Sequence, residues 1–394
     1  MRRAKPILFL GIFICYLGMM VILPIVSPLV RQLGLSESQG GWMISIGAAT
    51  MVLASARWGR LSDKIGRRPV ILAGFAGLAA SYAAYTAFVM LGLGGALAGT
   101  TLLAALILGR ALIGVFIPAV PTASQAYMAD VTDEAGRSAG MALVSAANGM
   151  ALILGPAIGG VLLLGGLLWP LYAATMLPLM GLGAMLLVLR STRPKPMGAQ
   201  EPLRPWHADL WPWLLVGLGA MTVIVTLQIN AGFYLQDRLG LSALETGRTL
   251  AMALTITGLV LLLVQVVQVK LLRWQAGRMV TVGIPVFAAG ILILLMTMSL
   301  WSYYVAFALI GVGAGLLLPG FMSGASLAVP GTLQGSVAGL VSAVQGGGAI
   351  IAPALTTSLY EYDPALPFWF VFAILAVLQI LCAVALPKRP VTRR

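Results

Sequence analysis

Residues Gly59 to Pro69 read GRLSDKIGRRP and connect two long apolar runs at 41–61 and 69–91. Both runs are long enough to cross a bilayer as helices. Lys and Arg accumulate in the short cytoplasmic loops of membrane proteins, so this dense basic stretch predicts two membrane helices joined on the cytoplasmic side. The stretch contains one acid and four basic residues: Asp63, Arg60, Lys64, Arg67 and Arg68.

The composition of the whole chain extends this prediction. Of 394 residues, 60% are hydrophobic and 9% are charged, against about 45–50% apolar and 25% charged in soluble domains. Such a chain cannot cover itself with polar surface, which indicates an integral membrane protein. A membrane β-barrel is excluded because its strands alternate in polarity over about ten residues. The apolar segments predict an all-α polytopic protein with twelve transmembrane helices, near 7–30, 41–61, 69–91, 97–128, 138–165, 168–189, 211–235, 246–269, 279–299, 302–328, 336–358 and 365–386.

The basic residues favour one side of these spans throughout. With the N-terminus placed inside, 20 of the 24 Lys and Arg residues fall in inside segments. Arg31, Arg238 and Arg248 fall outside, and Arg110 lies within a span. The positive-inside rule therefore predicts that both termini are cytoplasmic. The net charge of +13 is scattered between apolar runs instead of forming one basic face, which argues against nucleic-acid binding.

An internal repeat divides the chain into two halves. LVSAANG at 143–149 recurs as LVSAVQG at 340–346, and ALIGV at 111–115 recurs at 308–312. Pro156 falls on Pro353 at the same offset of 197, and RQLGLSESQGG from Arg31 is similar to DRLGLSALETG from Asp237. Repeats of this kind on equivalent spans predict two pseudo-symmetric six-helix bundles with parallel topology. The predicted domains are 1–189 and 212–394, joined by a polar cytoplasmic hinge loop at 190–211.

Two six-helix halves of parallel topology are the arrangement of major facilitator transporters, which bind substrate near the bilayer midplane. The stretch from Gly59 to Pro69 resembles the loop signature of that superfamily, and Leu108 to Gly114 resembles its second motif. Gly149, with Gly155 to Gly160, resembles its antiporter motif. Leu23-Pro24 and Tyr127 to Asp130 add a similarity to the twelve-span drug:proton antiporter family. The resemblance covers the whole chain and implies a monomeric transporter of the bacterial cytoplasmic (inner) membrane.

The resemblance also implies that the basic loop controls conformation. Membrane topology alone explains its cations, but it does not explain Asp63 or the glycines. We expect Asp63 to reach the positive N-terminal end of span eleven, and Asp130, which ends span four on the same side, to pair with Arg67 or Arg68. Such a cluster would stabilise the outward-open state and break in the inward-open one. The predicted gating residues are Gly59, Asp63, Gly66, Arg67, Arg68 and Asp130.

Arg110 is the one charge near the middle of a predicted span. A charge at that depth is energetically costly, so its presence indicates a function. A positive cavity favours anionic or zwitterionic substrates over cationic drugs. The alternative is a packing role, with the guanidinium bound to backbone carbonyls or to Tyr16. Other mid-span polar residues are equally open to lining the cavity or to bonding helices together. The candidate substrate-binding residues are Arg110, Tyr16, Asn148, Gln228, Asn230 and Gln345.

The antiporter-like segment of span five is predicted to pack closely against other helices. Its glycines allow backbones to approach to van der Waals contact, and its proline bends the helix. We expect this packing to seal a leak path between the halves, so that exchange results. The residues concerned are Gly149, Gly155, Pro156, Gly159 and Gly160.

Proton-coupled exporters usually carry a membrane-embedded carboxylate that alternates between proton and substrate. None of the 11 acids in this sequence falls in the middle of a span. Coupling must therefore use an interfacial acid, for which Asp130 is our candidate, or protons carried by a weakly acidic substrate itself. The function predicted is proton-coupled efflux of a small organic molecule, a drug or a secreted metabolite, by alternating access. An alternative is an exporter or facilitator of an anionic metabolite such as a carboxylate siderophore, and a more remote one is a lipid flippase.

Enzyme chemistry is not predicted. The single histidine, His207, has no nucleophile beside it, and no Gly-rich phosphate loop follows a strand. Cys15 and Cys382 both lie in apolar runs, so neither a disulfide framework nor a zinc site is expected. We predict no cofactor and no metal.

Overall fold

The computed structural model describes residues 4–131, 134–189, 209–296, 299–330 and 333–385. All regular elements in these ranges are helical. Most of the predicted hinge loop, residues 190–208, lies outside the described residues. The helices before the hinge are α1 Ala4–Ile22, α2 Val26–Gln32, α3 Glu37–Ile65, α4 Arg67–Leu93, α5 Gly99–Phe116, α6 Ala119–Val131, α7 Glu134–Leu162 and α8 Trp169–Val188. The helices after it are α9 Trp211–Leu239, α10 Ala243–Val267, α11 Ala276–Leu295, α12 Leu300–Leu327, α13 Gln334–Tyr362 and α14 Leu366–Ala385.

All twelve predicted spans coincide with these helices. Within the described residues, 11 stretches are long and apolar enough to cross a membrane. Pro6–Gln32 combines α1 and α2, which a short 3-10 turn at Leu23–Ile25 connects, and Gly99–Met128 combines α5 and α6. The remaining predicted span, 41–61, lies in α3, a helix of 29 residues. It is more polar than the others because glycines and serines occur in its first half and charges in its last turns. The chain is therefore a multi-pass helical membrane protein.

The helices form two compact units. The N-terminal unit comprises Met1–Met197 and Leu241–Met252, and the C-terminal unit comprises Gly198–Gly240 and Ala253–Arg394. In the N-terminal unit, α1 packs against α7 and α8, and α3 packs against α5. In the C-terminal unit, α11 packs against α12, and α9 against α13.

Small residues set the distance between helices in the N-terminal unit. A Cβ on Gly114 of α5 would collide with the carbonyl oxygen of Gly47 and with Thr50 Oγ1 on α3. Thr50 Oγ1 in turn donates to the carbonyl of Ala111 at 3.1 Å. The backbones of α3 and α5 therefore touch at this crossing, which places Arg110 of α5 directly beside α3.

Candidate functional site

Arg67, the first residue of α4, is the centre of a charged cluster at the end of three helices. The residue is 1% exposed, although a buried guanidinium is costly unless it is paired. Its Nε donates to Asp130 Oδ2 at 3.0 Å, and its Nη1 donates to Ser62 Oγ at 3.0 Å and to Asp63 Oδ1. The cluster thus joins the ends of α3, α4 and α6.

Gly66 explains how these side chains meet. It is the single residue between α3 and α4, and its backbone has φ 96° and ψ 162°. Residues with a Cβ rarely adopt such a positive φ, whereas glycine does so at little cost. The chain therefore turns from one helix into the next within one residue, and Asp63 lies beside Arg67.

The two carboxylates of the cluster differ in their environment. The Asp63 side chain is 55% exposed and the Asp130 side chain is 10% exposed. Asp130 is thus the acid held in the protein interior, and Asp63 remains open to its surroundings. Ser62, which no predicted role singled out, is 1% exposed and accepts a further hydrogen bond from the guanidinium.

The remaining predicted gating residues lie near the cluster but do not belong to it. Arg68 Nη2 donates to the carbonyl of Leu186 on α8 at 3.3 Å, so Asp130 pairs with Arg67 and not with Arg68. Gly59 lies beside α6, where an added Cβ would contact Thr122 Cγ2 at an ordinary 3.6 Å. Packing therefore does not require a glycine at this position.

Arg110 lies inside α5, and the described part of the chain offers it no ionic partner. Its Cζ is 6.0 Å from the centre of the Tyr85 ring, and it interacts electrostatically with Tyr82 and Tyr85. Among the described residues, no hydrogen bond or ion pair holds the guanidinium. The Tyr82 hydroxyl is buried and also has no hydrogen-bond partner there. Tyr16 packs instead against an apolar cluster of α1 and α7.

The other candidate substrate-binding residues have different environments. Asn148 is exposed on α7, and Gln228 and Gln345 are half-buried on α9 and α13. Asn230 is fully buried, and its Nδ2 donates to the carbonyl of Thr226 at 3.0 Å and to Thr356 Oγ1 at 2.9 Å. Asn230 therefore bonds α9 to α13, which is the packing alternative for such residues.

The antiporter-like glycines on α7 also differ from one another. A Cβ on Gly155 would collide with Met20 Cβ, and a Cβ on Gly159 would lie 2.5 Å from the carbonyl oxygen of Val21. Met20 and Val21 both lie in the last turn of α1. A Cβ on Gly160 would lie 2.9 Å from Ala251 Cβ, in the part of α10 that belongs to the same unit. Gly149 faces open space. Pro156 lies inside the helix between the two glycines that contact α1.

The sequence profile described as Major Facilitator Superfamily matches residues 8–353. The chain belongs to the major facilitator superfamily. This major facilitator is 29% identical over 266 residues to the tetracycline resistance protein, class G, of Vibrio anguillarum, a match covering 64% of each chain. It is 28% identical over 186 residues to multidrug resistance protein 2 of Bacillus subtilis strain 168, covering 47% of this chain and 44% of the relative. The matched regions thus span less than two thirds of either relative.

The fold of this major facilitator is similar to a solved transporter structure. The TM-score is 0.73, at 14% identity, to a bacterial homolog of the human lysosomal transporter Spinster, with 97% of this chain and 96% of the other covered. At this identity the similarity concerns the fold alone. The solved structure confirms the predicted major facilitator fold, and the family to which the chain belongs is one of transporters and not of enzymes.

Proposed function

We propose that this major facilitator exports small organic molecules across the bacterial cytoplasmic membrane by proton-coupled alternating access. Efflux is suggested by the two curated relatives, which are named as tetracycline and multidrug resistance proteins. The observation that carries the proposal is the buried Arg67 between Asp63 and Asp130. Two carboxylates share one guanidinium, so one of them can take up a proton without leaving the buried cation unpaired.

Asp130 is the carboxylate best suited to that exchange. It is the more buried of the two acids, and its bond to Arg67 Nε is the one that connects α6 to the cluster. When Asp130 is protonated, it loses its ion pair with Arg67, which keeps its bonds to Asp63 and Ser62. Proton uptake would thereby weaken the link from α6 to α4 and shift the balance between conformations by the lost interaction.

The conformational change involves the two predicted halves, 1–189 and 212–394, with the hinge at 190–211 and both termini in the cytoplasm. Asp63, with its exposed side chain, is the residue we propose to contact span eleven in one state and to release it in the other. Gly155, Gly159 and Gly160 keep α7 closely packed during this change, which limits leakage.

Arg110 indicates the class of substrate. Its guanidinium has no carboxylate partner among the described residues, and no described acid lies in the middle of a helix. A free cation of this kind favours anionic or zwitterionic molecules, because it provides two parallel donors for a carboxylate. The same observation supports a second candidate function, a facilitator or exporter of an anionic metabolite such as a carboxylate siderophore, driven by its own gradient or the membrane potential.

Proteoliposome transport separates these two functions. Purified full-length protein is reconstituted with a pH gradient and tested with tetracycline, ethidium and citrate as zwitterionic, cationic and anionic probes. We expect the gradient to drive tetracycline or citrate more strongly than ethidium. Asp130→Asn should uncouple transport from the gradient and leave substrate exchange intact. The matched control is Asp209→Asn, which removes an acid that is exposed outside the cluster.

The proton-coupled proposal is wrong if transport is unchanged when the pH gradient is collapsed and the membrane potential is held constant. That result would favour the anion facilitator. Movement of a labelled phospholipid between leaflets, with no transport of any of the three probes, would favour a flippase.

A further inference from the structure

A groove of about 300 Å³ lies on the N-terminal unit, on one side of the crossing between α3 and α5. Its lining is almost entirely apolar, and the one charged side chain in it is that of Arg57. Trp58 forms part of the floor, because its Nε1 donates to the carbonyl of Val115 at 2.6 Å and its ring packs against Phe116. The lining residues are Thr50, Leu53, Ala54, Arg57, Trp58, Leu61 and Val115.

Basic side chains continue from this groove toward the end of α3. Arg57, Arg60 and Lys64 are all exposed, and their spacing of three and four residues places them along one side of the helix. Among the described residues, none of the three has a hydrogen bond or an ion pair. They form a row of free cations that ends at Lys64 and reaches back into the apolar groove at Arg57.

The depth of Arg57 suits the edge of the hydrocarbon layer. At 1.5 Å per residue, it lies about 12 Å before Ile65, the last residue of α3. A long arginine side chain at such a depth extends toward the headgroup region. Leu53, which is 66% exposed, lies one turn further from the headgroups and offers an apolar surface in the direction of the bilayer centre.

We propose that this groove binds one anionic phospholipid. Its phosphate is held by Arg57 and Arg60, with Lys64 adding charge, and one acyl chain lies over Leu53, Ala54 and the Trp58 ring. The order of the residues matches the order of groups in a lipid, since cations occur toward the end of α3 and apolar residues toward its middle. The cytoplasmic leaflet, where we predict this end of α3, is rich in anionic lipid. A soluble anion would leave the apolar half of the groove unoccupied.

Lipid binding can be measured without any transported substrate, so the result is independent of the proposed efflux function. Full-length protein purified in detergent is titrated with phosphatidylglycerol, with phosphatidylcholine and with inorganic phosphate. Thermal unfolding and the retention of lipid in native mass spectrometry are recorded. We expect phosphatidylglycerol to raise the unfolding midpoint and to be retained, and the other two to have little effect.

Variants at exposed positions test the groove itself. Arg57→Gln should remove at least half of the phosphatidylglycerol shift, and Arg57→Lys should restore most of it. The charge control is Lys270→Gln, which removes an exposed cation outside the groove and should keep the full shift. Leu53→Asn should weaken lipid retention, whereas Leu187→Asn, at an 89% exposed position on α8, should not.

Three results would overturn the proposal. The first is an equal loss of the shift in Arg57→Gln and Lys270→Gln, which would mean general charge attraction. The second is equal stabilisation by inorganic phosphate, which would mean a soluble-anion site. The third is equal retention of phosphatidylcholine, which would mean that the charge of the headgroup is not recognised.

Discussion

At the scale of single residues, the contrast between Arg67 and Arg110 is the main feature of this protein. Arg67 is buried and donates hydrogen bonds to two carboxylates and a hydroxyl. Arg110 lies inside a membrane helix near the Tyr85 ring, and among the described residues its guanidinium has no hydrogen bond or ion pair. A charge within a membrane helix is retained at a cost when no opposite charge pairs with it, so the first arginine suits a structural switch and the second suits ligand binding.

Asp63→Asn tests whether the cluster around Arg67 controls the conformation of the transporter. Because the Asp63 side chain is 55% exposed, the protein should fold, and Asp130 should still pair with Arg67. We expect lower transport and a shift in the conformational population, seen as changed labelling of single cysteines on the two faces, with substrate affinity unchanged. A fall in affinity with unchanged labelling would contradict the gating role of Asp63.

Two substitutions of Arg110 test its proposed role in substrate binding. Arg110→Lys keeps the charge but loses the planar pair of donors, so the affinity for a carboxylate probe should fall about tenfold or more, equivalent to about 1.4 kcal/mol. Arg110→Ala should nearly abolish binding with no loss of folded protein. Binding is measured as ligand-induced thermal stabilisation. Misfolding of Arg110→Ala in detergent would instead support a packing role.

At the scale of helices, close contact between α1 and α7 depends on particular glycines. The contact buries Leu17, Val21 and Ala151, and at Gly159 the backbone of α1 lies where a side chain would begin. Since a backbone carbonyl cannot move aside as a flexible side chain can, even one methyl group must separate the helices. Gly149, on the same helix, has no such neighbour within the described ranges.

Gly159→Ala and Gly149→Ala form a matched pair on one helix. Overpacking costs about 1–3 kcal/mol, so Gly159→Ala should lower the midpoint of thermal unfolding in detergent. Gly149→Ala adds the same methyl group into open space and should leave the midpoint unchanged or raise it slightly. Equal effects of the two substitutions would show that the contact with α1 does not set the stability of α7.

At the scale of the whole molecule, orientation in the membrane follows from the distribution of charge. Ala96 lies between α4 and α5, and Gln275 lies just before α11; both are exposed. Single cysteines at these positions should react with a membrane-impermeant reagent from opposite sides, with Ala96→Cys labelled from outside in intact cells. The native Cys15 and Cys382 are both buried, which keeps background labelling low. Labelling of both introduced cysteines from outside would contradict the predicted topology.

Much of the architecture was predictable because it depends on local, additive properties. The spans follow from apolar runs of bilayer length, and each of the twelve coincides with a helix. The superfamily was predictable from motifs whose spacing survives in the chain, and the profile match over 8–353 confirms it. The exact contacts of the charged residues could not be predicted from the sequence. From the sequence, Arg67 and Arg68 are equally good partners for Asp130, and nothing in the residue pattern marks Ser62 as part of the cluster.

The amino-acid sequence alone was enough to predict the membrane location, the membrane-spanning segments, the two-half repeat and the family. Each of these depends on composition or on the order of residues along the chain. Only the tertiary structure decided that Arg67 takes both carboxylates, that Arg110 has no ionic partner among the described residues, and that Gly159 but not Gly149 touches α1. The physical reason is that these properties depend on helix rotation and on the distances between helices. In a bilayer those are set by side-chain packing and interhelical hydrogen bonds, which an apolar pattern does not specify.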